Sequence, residues 1–146
     1  MHTPVVVVSL LALFMVSLCV LIHYEALAWL SATLPRMHTR SRRRILLLIF
    51  AILTVHSLQI FLFALAYLFL LQDPVYGVLQ GIGEDNIVNC GYFSAVVFTT
   101  LGLGDIVPHG AIRILAGPES LAGFVLITWS ASFTFIEMQS FWRRST

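Results

Sequence analysis

Phe93-Ser-Ala-Val-Val-Phe-Thr-Thr-Leu-Gly-Leu-Gly104, followed directly by Asp105, is the stretch that decides the fold. Its first half is apolar enough for a short helix, whereas its second half alternates Leu101 and Leu103 with Gly102 and Gly104. Glycine reaches backbone conformations that side chains disfavour, so its carbonyl can point where an ordinary residue's would not. Within a membrane, non-helical backbone is tolerated only where protein buries it or where it lines a watery cavity. A row of carbonyl oxygens there, with the Thr100 hydroxyl, can replace the water shell of a dehydrated cation.

The flanking chain supplies the membrane. Of 146 residues 59% are hydrophobic and 10% charged, with a mean hydropathy of +0.94, against about 25% charged in a soluble domain. The length allows one domain. Residues 5–30, 45–71 and 113–136 are apolar runs, each longer than the roughly 20 helical residues that span a bilayer core. Residues 92–100 are too few to cross and suit a re-entrant half-helix. Pro35 breaks the chain between the first two spans, and Asp73-Pro74 ends the second.

Charge sets the sidedness. Arg36, Arg40, Arg42, Arg43 and Arg44 lie between spans one and two, and Arg143 and Arg144 follow span three, with no Arg or Lys before 36 or from 45 to 112. The positive-inside rule then puts the linker and C-terminus in the cytoplasm, and the N-terminus and residues 72–112 outside. Cleavage of a signal peptide after Ala28 would export the arginine linker and is rejected. The outer segment is rich in glycine and acid: Gly77, Gly81, Gly83, Asp73, Glu84, Asp85 and later Asp105. Such a vestibule concentrates cations.

Several functions are excluded. No basic stripe interleaved with aromatics suggests nucleic acid. His, Cys and carboxylates are scattered without ligand or nucleophile–base spacing, so an enzyme is not expected. No Gly-Lys-Ser/Thr follows the glycines, which rules out a phosphate cradle. Span one lacks arginine at every third position and is no voltage sensor. Cys19 reads as a packing residue, and Cys90 as either a buried thiol or a cross-link between subunits.

These features together resemble the pore domain of the potassium-channel superfamily, small and prokaryotic in type, with one extra N-terminal helix. The likeness covers residues 45–137. It implies an all-α membrane protein: a first helix and arginine linker over 1–44, then a pore domain over 45–146. Within the latter come an outer helix at 45–71, a pore helix at 92–100, a filter at 100–105 and an inner helix at 113–137. The family signature Thr-Val-Gly-Tyr-Gly-Asp stands here as Thr100-Leu101-Gly102-Leu103-Gly104-Asp105. Leu103 removes a bracing phenol, although Gly-Leu-Gly recurs in some second pore loops of two-pore-domain channels. Val96 and Phe93 replace a glutamate and a tryptophan, depriving Asp105 of two usual partners.

The resemblance further implies a homotetramer, each chain joined by three identical subunits, with K+ held at Thr100, Leu101, Gly102 and Leu103, below Gly104 and supported by Thr99. K+ is the permeant ligand, and no cofactor is expected. The run from Arg113 to Gly123 is similar to the start of the family's inner helix, with Glu119 in it and Gly123 as hinge. Gly123, Ile127, Ser130 and Thr134 share one sector at 100° per residue and either line a cavity or pack helices. His56, mid-span, is either a pH-sensitive group or a neutral His bonded across to a neighbouring helix, and His109, in the outer mouth, is either pH-sensitive or a passive, solvated His. His23, Glu25 and Glu137 are expected to snorkel toward the cytoplasmic arginines, which in turn contact anionic lipid at Arg36, Arg40, Arg42, Arg43 and Arg44. The function expected is a passive K+-selective channel of a bacterial inner membrane. Its rivals are a weakly selective cation channel and a non-conducting auxiliary subunit.

Overall fold

The computed structural model describes residues 2–36, 41–81 and 86–143; Arg40, Gly83, Glu84, Asp85 and Arg144 lie outside the described residues. Among the described residues four α-helices are formed: α1 (His2–Thr33), α2 (Ser41–Leu70), α3 (Ile87–Phe98) and α4 (Arg113–Arg143). Three are long and apolar enough to cross a membrane, and the chain is a multi-pass membrane protein. All three run past the apolar windows, because hydropathy marks the immersed portion only. Arg42, Arg43 and Arg44 carry helix at the start of α2, as arginine readily does outside the hydrocarbon.

α3 begins at Ile87 and ends at Phe98, correcting the expected 92–100. Asn86 sets the start: its side chain accepts from the Asn89 N–H at 2.9 Å while its own backbone stays extended. Twelve residues give a rod of about 18 Å, roughly half of a bilayer core. A short antiparallel ribbon, absent from the sequence expectation, joins β1 (Val78–Gln80) to β2 (Val107–His109), with Leu79 opposite Pro108. Because Gln80 pairs with Val107, the segment between them leaves and returns at one level. α3 is therefore re-entrant.

α1 packs along α4 and also touches α2, while α2 and α4 together clasp α3. Its buried residues Val8, Ala12, Met15, Cys19, His23, Leu27 and Leu30 recur every three or four positions, a narrow seam on a helix otherwise open to lipid. The main core joins Phe63 and Tyr67 of α2, Phe93 and Phe98 of α3, and Leu115 and Leu126 of α4. Cys19 and Cys90 are both buried in it, and neither is in a disulfide. A second cluster, around Leu27, Leu34, Leu48 and Ile52, seals the end that bears the arginine linker.

Gly123 sets the approach of α4 to α3. A Cβ there would lie 1.9 Å from the Phe98 carbonyl oxygen and 2.8 Å from its carbon, backbone that cannot swing aside. G123A is expected to destabilise the protein by about 1–3 kcal/mol, the usual range for overpacking. Thermal unfolding in detergent measures it.

Candidate functional site

The end of α3 is built to stop. The Thr99 N–H and hydroxyl both bond the Ala95 carbonyl, at 3.1 and 2.7 Å. The Thr100 N–H bonds Val97, and the Val96 carbonyl accepts from Leu101 at 3.0 Å and Gly102 at 3.5 Å. The carbonyls of Ala95, Val96 and Val97 in the last turn are thereby satisfied, and the chain is released into an irregular path.

That path has an alternating backbone. Thr100, Gly102 and Gly104 have φ of 59, 61 and 78°, while Leu101 and Leu103 between them stay negative. Positive φ at β-branched Thr100 is an outlier, holding strain of order 1–3 kcal/mol of the kind found at functional sites. Residues 99–105 are all exposed on the single chain, Leu101 by 62% and Leu103 by 57%. Val96 and Phe93 are buried behind them, Phe93 edge-on to Tyr67 at 5.0 Å.

Asp105 has a partner of another kind than the two that Val96 and Phe93 replace. The Tyr92 hydroxyl donates to it at 2.6 Å, and that bond holds the phenol above its ordinary range, aided by burial and the carboxylate charge. The phenol thus ties the residue after Gly104 to α3 from within the same chain. His109 is exposed in β2.

A second brace stands behind α3. Glu119 of α4 is fully buried, accepts from the Tyr67 hydroxyl of α2 at 2.5 Å and meets the Ser94 hydroxyl of α3 at 2.5 Å. Ser94 also donates to the Ile60 carbonyl at 2.9 Å. Three hydrogen bonds need three protons, and the two hydroxyls supply two. The third belongs to the carboxyl, so Glu119 donates to Ser94 as a neutral acid. One side chain thereby pins α2 and α4 to the re-entrant α3.

Ile127, Ser130 and Thr134 line one cavity of about 440 Å³ with Ile49, Ile52, Leu53, His56, Ala131, Phe135 and Met138. Gly123 stands apart from it, against Phe98. His23 does not snorkel: it is buried and bonds Ser130 of α4 at 3.2 Å. Glu25 is exposed, and Glu137 accepts the Ser140 hydroxyl at its carbonyl. Sequence reasoning missed Tyr67, Ser94 and Tyr92. It placed Glu119 only by likeness, although a carboxyl six residues inside an apolar span was a signal in itself.

Spanning helices around a half-length helix and a strained, glycine-punctuated return define a pore-loop membrane protein. The chain belongs to the ion channel family: the family model described as Ion channel matches residues 45–140, a two-helix pore domain of the potassium-channel type. It is an ion channel of this class, and residues 1–44 lie outside the match. No curated protein and no solved structure matches it.

Proposed function

We propose that four copies of this chain surround one axis and conduct K+ passively through Thr100-Leu101-Gly102-Leu103-Gly104. The observation that carries this reading is the alternation of φ sign from 100 to 104 on a segment exposed in the single chain. In a regular strand, successive peptide groups face opposite ways. Alternating left- and right-handed residues undoes that reversal, so that the carbonyls of Thr100, Leu101, Gly102 and Leu103 gather on one side. Bare irregular backbone is unstable in hydrocarbon, and further copies with a file of cations between them would satisfy it. The Thr100 hydroxyl closes the innermost ion position, while Tyr92 and Glu119 hold the frame.

The arginine end, with Arg36, Arg42, Arg43 and Arg44, faces the cytoplasm and anionic lipid, against Arg113 alone on the ribbon side among the described residues. The N-terminus is then outside and the membrane is a bacterial plasma membrane. Leu103, exposed where a bracing phenol would sit, favours a second reading in which the filter is loose and weakly selective. Reversal potentials in reconstituted bilayers, with K+ on one side and Na+ on the other, separate the two. A reversal near the K+ equilibrium value is expected. A value near zero would establish the loose filter, and no current at all would leave an auxiliary subunit.

A further inference from the structure

The pore model leaves α1 without a task, yet α1 meets the channel through a closed polar ring near mid-span. His56 Nδ1 lies 3.0 Å from Gln59 Oε1, and Gln59 Nε2 lies 3.5 Å from His23 Nδ1. His23 Nε2 lies 3.2 Å from Ser130 Oγ, which lies 3.1 Å from His56 Nε2. One further bond fixes every proton. Gln59 Nε2 also donates to the Cys19 carbonyl at 3.0 Å, and a carbonyl only accepts.

The amide nitrogen therefore faces Cys19 and His23, and the amide oxygen faces His56. His56 must carry its proton on Nδ1 to bond that oxygen, leaving Nε2 bare to accept from the Ser130 hydroxyl. Ser130 then accepts from His23 Nε2–H, and His23 Nδ1 accepts from the amide. All bonds run in one rotational sense with both imidazoles neutral, an assignment made from the network itself.

We propose that this ring is a proton-binding site, taking one proton at His56 Nε2 from the arginine side, and that its charge throttles the pore. The proposal rests on the conducting reading above. Of the two bare nitrogens, His23 Nδ1 faces an N–H donor, and a proton there would set donor against donor. His56 Nε2 faces a hydroxyl, which can rotate and accept from both rings. Access agrees: His56 is half-buried and lines the 440 Å³ cavity together with Ser130, Ile49 and Met138, residues toward the arginine-bearing ends of α2 and α4, whereas His23 is fully buried.

The neighbourhood offers no charge to neutralise the added proton. α1 faces the ring with His23 and Cys19, α4 with Ser130 and Trp129, and α3 with Phe98. Cys19 is the one titratable group among these besides the imidazoles. The imidazole of His56 lies 5.9 Å from the ring of Phe98, which closes α3 two residues before Thr100. A cation held there repels K+ at the inner end of the filter.

The test uses the full chain in vesicles. Acidifying the arginine side should cut K+ flux by about tenfold, the low end of what a focused field does to ion concentration. H56N should flatten that response. A wild-type flux indifferent to pH, or an H56N response equal to wild type, overturns the proposal. Nitrogen-15 spectra of labelled imidazoles, assigned with H23N and H56N, check the ring without any flux. Nδ1–H at His56, Nε2–H at His23 and uptake of one proton at His56 are expected. The reverse tautomers, or titration of His23 first, overturn it. Vesicles that conduct nothing at any pH while showing those tautomers would support the proton site and sink the potassium reading alone.

Discussion

Replacing Gly102 with alanine is expected to reduce K+ flux to background while the protein still inserts and assembles. Nothing lies within 4 Å of a Cβ built on Gly102, so the chain has room for the methyl group. The defect is conformational. At φ 61° an L-residue meets its own following carbonyl, at a cost of about 1–2 kcal/mol in each chain and roughly 4–8 kcal/mol over the four copies of the proposed tetramer. Alanine relieves it by turning to negative φ, which breaks the alternation and swings a carbonyl out of the row. Potassium-loaded vesicles report the flux, and size-exclusion chromatography reports assembly. A G102A protein that assembles and still conducts K+ at the wild-type rate would sink the filter assignment.

Glu119 carries the second large effect. E119A strands the buried Tyr67 hydroxyl, at about 1–3 kcal/mol for a group left without a partner, and takes from Ser94 the bond to α4, leaving it only the one to the Ile60 carbonyl. Because those groups belong to α2 and α3, the loss loosens the frame that holds the re-entrant segment. Unfolding temperature and flux should fall together. E119Q separates a neutral acid from a carboxylate. Its amide N–H replaces the carboxyl proton toward Ser94, and its oxygen still accepts from Tyr67, so near-wild-type stability is expected. If E119Q fared as badly as E119A, the proton count at Ser94 would be wrong.

The spans and the pore loop were legible because their signals are local. Runs of apolar residues identify immersion, and Thr100 to Asp105 carries the backbone chemistry in its own glycines. Helix ends were less legible: Asn86 starts α3 five residues before the apolar run suggested, since a cap acts through a backbone N–H rather than through hydropathy. The braces were hidden for another reason. Tyr67, Ser94 and Glu119 are distant in sequence, and Tyr92 and Asp105 are joined only by the path of the turn between them. His23 shows the same limit. Its helical position near the inner end suggested a snorkelling cation, but the partners that bury it, Gln59 and Ser130, come from two other helices.

The β1–β2 ribbon has a consequence for assembly. By clamping Gln80 to Val107, it closes the re-entrant segment into a loop within one polypeptide, so the entropy of bringing those ends together is lost before any neighbour arrives. Each newly made subunit can then reach its partners with the half-helix already folded back. In the tetramer proposed above, what remains for oligomerisation is to bring four preformed hairpins into register.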